Sequence, residues 1–307
     1  GWYSKSPYIK LNDIKPLERQ APIYIHYKLW NKSVGETENS VNEVIYDGSN
    51  LPAISNDGEY SLRVWTVDEV GNRSDVAADV YKDFNYDSTM PIMSLNYDNN
   101  NSTNDKYYSK SRNAILSVND TNFNPDKVKI KVTSVDNGNT VEMSGNSWSS
   151  DGIVHSVTIP FDSDGDYKIE AMCSDKAGNV SNNINDNDFV IDMTAPTLDI
   201  SNVQDLSANN TDVNPVIQFN DTNIDFDNVE YSVTGLQNGV VSAKASQSSD
   251  GTNKNISLSS IDKDDNYVLV AKAIDKAGNS VDKKVAFSVN KNGSAFEYLS
   301  NNIKNGY

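Results

Sequence analysis

An all-β chain of tandem β-sandwiches is the fold this sequence predicts, on three observations. Short runs alternate apolar and polar residues with period two, no window carries a helical stripe with caps, and one five-residue string returns at domain-sized intervals. The string is D-x-x-G-N: "DEVGN" at Asp68 to Asn72, then "DKAGN" at Asp175 to Asn179 and, letter for letter, at Asp275 to Asn279. From Asp68 to Asp175 is 107 positions and from Asp175 to Asp275 is 100, the size of one small domain.

Each copy supplies the same elements. A tyrosine follows a corner rich in Asp or Gly, "NDGEY" to Tyr60, "SDGDY" to Tyr167 and "KDDNY" to Tyr267, and precedes its string at a fixed distance. Behind it Tyr60, Leu62, Val64 and Thr66 alternate with Ser61, Arg63, Trp65 and Val67; Tyr167, Ile169, Ala171 and Cys173 do likewise, as do Tyr267, Leu269, Ala271 and Ala273. One face of each run is small and apolar, so it faces a core. Val128, Ile130 and Val132, matched by Val229, Tyr231 and Val233, give a second strand; Leu116 with Val118, matched by Ile217 with Phe219, give a third. "LSVNDTNFNPDKVKIKVT" at 116–133 and "IQFNDTNIDFDNVEYSVT" at 217–234 mark the second and third copies as close relatives. The expected domains are 1–89, 90–193 and 194–290, with 291–307 as a tail or the start of a further unit, because Asn290 stands where the earlier junctions "FNYDSTMP" and "FVIDMTAP" have Asp. Pro91 and Pro196 in those junctions restrict the joints, and three sandwiches in line would approach ~120 Å as a semi-rigid rod.

The recurring string reads as a hairpin turn. Gly71, Gly178 and Gly278 supply a backbone of positive φ, and Asp68, Asp175 and Asp275 accept the turn's own amide hydrogens. The tyrosines Tyr60, Tyr167 and Tyr267 stand where immunoglobulin-like sandwiches place a tyrosine whose hydroxyl ties down the corner before strand F.

Composition narrows the function. The chain has 307 residues, 37% of them hydrophobic, and a formal net charge of -17. Such a surface repels phosphate backbones, so nucleic acid and anionic membranes are poor partners and a divalent cation or a cationic surface a better one. No apolar run is long enough to insert in a membrane, and no signal peptide opens the sequence. The single cysteine, Cys173, forms no disulfide within the chain and lies on the inward face of its strand as a small buried hydrophobe. His26 and His155 fall in different expected domains, and no phosphate loop, H-E-x-x-H or cysteine pair appears, so no enzyme is expected.

Two binding candidates remain. An EF-hand beginning at Asp162 fails, because its sixth and twelfth positions are Tyr167 and Cys173. A looser calcium site is open at the junctions, where Asp87 or Asp192 of a linker meets Asp120 or Asp221 of the next "NDTN" loop; the competing reading makes these solvated carboxylates that cap turn amides. The second candidate is an exposed aromatic face in the first copy, Tyr24, His26 and Trp30 on "PIYIHYKLW" beside Arg63 and Trp65, suited to a sugar ring or a protein partner. Against it stands a Trp30–Trp65 cross-strand packing pair, or cover by the 31–50 segment.

The strings "NDTNFNPDKVKIKV", "DGDY", "DKAGN" and "FVIDMTAP" resemble the bacterial immunoglobulin-like repeats of large secreted and cell-wall proteins, mainly of Gram-positive bacteria. The resemblance covers the second and third expected domains nearly end to end. The first, opening "GWYSKSP" and closing "DGEYSLRVWTVDEVGNRSD", is similar to sandwich modules attached to extracellular carbohydrate-active enzymes, and departs from them through "IKPLERQAPIYIHYKLWNKSVGETENSVNEV". The resemblance implies an exported, monomeric stalk or adhesin segment within a larger polypeptide, or a carbohydrate-binding accessory, with a host or dietary glycan or a surface protein as partner. Lys–Asn isopeptide cross-links occur in resembling domains, but Lys and Asn here are too numerous to single out a trio.

Overall fold

The computed structural model describes residues 1–11, 22–49, 51–135, 138–143, 147–242 and 244–292. Part of the long departing stretch, residues 14–21, and most of the tail lie outside them. Among the described residues regular structure is β-strand with short 3-10 turns, and no helix is long and apolar enough to cross a membrane. The chain forms two compact units: residues 1–98, 113–160 and 167–188, and residues 99–112, 161–166 and 189–307.

The first unit opens with a five-stranded sheet in the order Trp2–Tyr3, Val80–Tyr86, Gly58–Asp68, Ile23–Asn31, Val44–Ile45. Trp2–Tyr3 runs parallel to its neighbour and the other pairs are antiparallel. The inner face carries Tyr27, Tyr60, Leu62, Phe84 and Tyr86, and Leu51 and Ile54 from an irregular segment close over them. The expected second sheet of this copy is not formed among the described residues. Its place on the core is taken by coil, because the stretch before Gly58 carries Pro52 and scattered polar residues with no period-two run.

The same unit holds, but for the end residues Arg112, Phe161, Gly165 and Asp166, a sheet ordered Ser149–Asp151, Val154–Phe161, Arg112–Asn119, Ile92–Tyr97, and a strand group in which Lys129–Ser134 lies between Thr140–Met143 and Gly165–Met172. Alternation is strict on Arg112–Asn119: Ala114, Leu116 and Val118 are fully buried while their neighbours are half-buried or exposed. Ile169 and Ala171 do the same on Gly165–Met172, and Cys173 continues the inward side just past its end.

The second unit contains a complete sandwich. One sheet is ordered Thr197–Ser201, Val216–Asn220, Asn253–Leu258, Ala245–Ser249, and the other Ser207–Asn209, Ser280–Val289, Asp265–Asp275, Ile224–Gly235, Gly239–Val241. Ile217, Phe219 and Ile256 of the first meet Val233, Leu269, Ala271, Val285 and Phe287 of the second in one core. At about 25 cal/mol per Å² of buried apolar surface, a set of this size is what holds a sandwich without a disulfide.

Candidate functional site

The D-x-x-G-N strings fold as tight turns. Gly71, Gly178 and Gly278 take φ of 88°, 92° and 93°, a region open to glycine at little cost. Each closes by the glycine amide donating to the carbonyl of the leading aspartate, at 3.1, 3.3 and 3.2 Å. The aspartate side chain then caps the turn. Asp175 Oδ1 accepts from the amides of Gly178 (2.7 Å) and Asn179 (2.9 Å), and its Oδ2 from the Asn179 side chain (2.8 Å). Asp275 accepts from the Asn279 amide and side chain, each at 2.8 Å, and Asp68 from the same two groups of Asn72 at 2.7 and 2.9 Å.

Two of these capping carboxylates have neighbours. In the first unit Asp87, Asp120 and Asp175 each place a carboxylate oxygen so that the three lie within 4.8 Å of one another; in the second unit Asp192, Asp221 and Asp275 repeat the arrangement. All six are at most 8% exposed. The donors come from three places in the sequence: the Pro-bearing junction (Asp87, Asp192), the "NDTN" loop (Asp120, Asp221) and the D-K-A-G-N turn (Asp175, Asp275).

Asparagines hold the arrangement. Asn122 donates its amide to Asp120 Oδ1 (2.6 Å) and its side chain to Asp87 Oδ2 (2.7 Å); Asn223 makes the same two bonds to Asp221 (2.6 Å) and Asp192 (2.9 Å). Among the described residues no lysine or arginine pairs with any of the six carboxylates. Burial therefore pushes the carboxyls of Asp87, Asp120 and Asp192 above the ordinary range, with the neighbouring aspartate charges adding to it. For Asp221 burial, aided by Asp192 and Asp275, raises the value to about 6. Two like charges 4 Å apart repel by about 4 kcal/mol at an effective dielectric of 20. Three in one buried corner call for protons or a cation.

Asp87, Asp120, Asp192 and Asp221, read from sequence as junction oxygens, are thus brought together in two sets. Asp175 and Asp275, read as turn caps, stand in those sets as well. Pairing the string with its distance from the "NDTN" loop, equal in both copies to within one residue, was the signal available for adding them.

The corner tyrosines are tied as their position suggests. Tyr60 donates its hydroxyl to the Asn56 carbonyl (2.7 Å) and Tyr267 to that of Lys263 (2.8 Å). Tyr167 is half-buried. A further contact recurs beside them: Asp57 accepts from the Ser88 amide and the Thr89 hydroxyl, Asp164 from the Met193 amide and the Thr194 hydroxyl, and Asp264 from the Lys291 amide.

The aromatic face of the first copy requires a correction. Register sets His26 opposite Trp65, Lys28 opposite Arg63 and Trp30 opposite Ser61, so these side chains share one face. Trp65 is not exposed on it, at 6%. His26 stacks at 6.0 Å, and the guanidinium groups of Arg73 and Arg63 sit 4.7 and 5.6 Å from its ring. Arg63 is held by Glu38 and, with Arg73, by Asp79; His26 is held by Glu43 at 2.5 Å. The cover comes from charged residues that have no apolar period, so alternation could not announce it. Trp30 is half-buried and Tyr24 is 45% exposed. Elsewhere His155 stacks on Phe123 at 4.2 Å, and Cys173 is 1% exposed with its thiol pushed up by burial.

Residues 155–303 match the family model of a bacterial Ig-like domain (group 3). No curated protein matches the chain. Among solved structures, a tetra-tandem repeat in the extending region of a large adhesion protein is 22% identical, with a TM-score of 0.41, over 88% of this chain and 66% of that one. The chain therefore spans just under two thirds of that solved chain's length. Fibronectin(III)-like modules of Clostridium thermocellum are 13% identical, with a TM-score of 0.25, over 67% of this chain and 100% of theirs.

Proposed function

We propose that the chain, whose residues 155–303 match the model of a bacterial Ig-like domain (group 3), is a non-catalytic spacer of an extracellular bacterial surface protein whose linkers are clamped by calcium. In this reading 1–89, 90–193 and 194–290 are successive modules. The duplicated carboxylate triad carries the proposal: it joins a linker aspartate to a loop and a turn of the module that follows, twice, with the same residue types.

An all-oxygen donor set suits a hard cation, and the absence of histidine or thiolate from both sets disfavours zinc and copper. Calcium takes six to eight oxygens in flexible geometry, whereas magnesium asks for a near-ideal octahedron and keeps its water. Three carboxylates supply up to six oxygens. Binding would neutralise the mutual repulsion of the aspartates and remove the freedom of the linker, so a secreted spacer would hold its form where calcium is abundant and loosen where it is scarce.

Titration calorimetry of the chain against calcium tests this. Two sites are expected, with Asp120→Asn and Asp221→Asn each removing one; no binding heat and no change in melting temperature at millimolar calcium would sink the reading. The alternative, a carbohydrate-binding accessory, loses Trp65 as a stacking platform and falls to the exposed Tyr24. Glycan binding abolished by Tyr24→Ala would favour that alternative, with a host or dietary glycan as partner.

A further inference from the structure

The D-x-x-G-N turn occurs three times with the same glycine closure and asparagine-to-aspartate bonds and two kinds of surroundings. In the second and third copies it is occupied from outside. The Asn179 side chain donates to the Asp87 carbonyl at 2.7 Å and the Asn279 side chain to the Asp192 carbonyl at 2.8 Å, so each reads the backbone of a Pro-bearing linker. The lysine of each turn lies over an aromatic ring, Lys176 over Trp2 at 5.9 Å and Lys276 over Tyr107 at 5.6 Å. The small residue at the tip is covered: Ala277 is 1% exposed and Ala177 half-buried.

The first copy has the same turn without the cover. Asp68 holds the Asn72 amide and side chain as Asp175 and Asp275 hold theirs, and Gly71 has the same φ. Yet Glu69, Gly71 and Asn72 are exposed, and Val70, the counterpart of Ala177 and Ala277, is 76% exposed. One amide hydrogen of Asn72 is committed to Asp68; the other is the one that Asn179 and Asn279 spend on a linker carbonyl.

We infer that Asp68–Asn72 is a docking surface for the linker of another immunoglobulin-like unit of the same kind, with Asn72 donating to a linker carbonyl and Val70 buried beneath it. The occupant follows from the other two copies, where that turn takes that linker. Glu69 replaces the lysine of the other turns, which reverses the charge at one contact. The unit that docks here therefore carries a basic side chain where Trp2 and Tyr107 stand, so this junction would not accept either of the chain's own two aromatic-bearing units as well.

The experiment titrates the isotope-labelled chain, in chelator, with a synthetic peptide of residues 86–92, Tyr-Asp-Ser-Thr-Met-Pro-Ile. Chelator makes the outcome independent of the calcium proposal. The Asn72 side-chain amide and the Val70 amide should shift and saturate, while the Asn179 and Asn279 side-chain signals stay in place because their carbonyl partners are already present. Asn72→Ala should abolish the response. Val70→Asp should do so too, and its 76% exposure means the change leaves folding intact. No shift at the solubility limit of the peptide, or a shift that survives both substitutions, overturns the inference.

Discussion

The Asn279 side-chain amide bridges two oxygens of Asp275 and Asp192, donating at 2.8 Å to the carboxylate of the first and at 2.8 Å to the carbonyl of the second. Asn179 does the same between Asp175 and Asp87, at 2.8 and 2.7 Å. One side chain thus fastens a turn to a linker without a metal. Asn279→Ala leaves a half-buried carbonyl and a buried carboxylate each short of a donor, and should cost about 2 kcal/mol of stability in chelator. Asn279→Asp should cost more in chelator, because it brings a fourth carboxylate to the triad, and much less in calcium. Thermal melts of both variants in the two buffers check this, and equal losses for the two would refute the electrostatic part.

Charge removal inside the triad should act in opposite directions with and without metal. Asp221 is 8% exposed, and its side chain accepts one backbone amide, that of Asn223. In chelator near neutral pH, Asp221→Asn relieves repulsion from Asp192 and Asp275 and should raise the melting temperature. In calcium the same variant loses a ligand, so it should melt below the parent chain. A variant that is less stable in both buffers would mean that the carboxylate is needed for packing rather than for a cation.

The pH dependence has a definite sign. Asp221 is raised to about 6 by burial, and Asp87, Asp120 and Asp192 shift in the same direction. A carboxyl that holds its proton more tightly in the folded chain makes the metal-free protein most stable at the acid end of this window. That contribution is lost as pH rises from about 4 through about 6. For Asp221 alone the shift corresponds to about 3 kcal/mol. With calcium the sign reverses, since the ligands must be ionised, and stability should fall as pH drops through about 6. Urea midpoints at about pH 5 and about pH 7.5, with and without calcium, separate the two slopes.

How much of this could be read from the sequence depended on the kind of force involved. Burial at period two was legible at Leu116, Ile217 and Leu269, which sit where alternation put them, and failed at Trp65, an outward position that is buried. The junction oxygens Asp87, Asp120, Asp192 and Asp221 were legible through repetition, as the same letters flank both prolines. What stayed hidden was set by contacts far apart in the chain. Asp175 looked complete as a turn cap, and its turn bonds do use both oxygens, yet the fold lays it against residues 55 and 88 positions away. The coil that closes the first copy's core through Leu51 and Ile54 left only a negative sign, the missing period-two run before Gly58.

Tyr60 and Tyr267 offer a test confined to one atom. Each hydroxyl donates to a carbonyl four residues upstream, while the ring packs on Phe84 or Phe287 at 5.6 or 5.4 Å. Tyrosine to phenylalanine keeps the ring and orphans the carbonyl, and at Tyr60 also the Asn31 side-chain amide that donates to the hydroxyl at 3.0 Å. Each variant should lose about 1 kcal/mol, with the effect confined to its own copy. Denaturation curves that do not move would mean that the ring alone secures the corner.

Trp65 decides between a binding platform and a packed side chain. His26 covers it at 6.0 Å and Arg73 at 4.7 Å, and those groups are in turn held by Glu43 and Asp79, so the indole is enclosed by a network whose members all carry charge or a titratable ring. Removing the indole leaves that network without the surface it rests on. Trp65→Ala should therefore destabilise the first copy by about 3 kcal/mol, the range of a buried aromatic deletion, whereas Tyr24→Ala on the same face should change stability by less than about 0.5 kcal/mol. Chemical denaturation of the two variants measures the contrast. Equal and small effects would mean that the cover over Trp65 opens readily in solution, and the indole would then be free to meet a ligand.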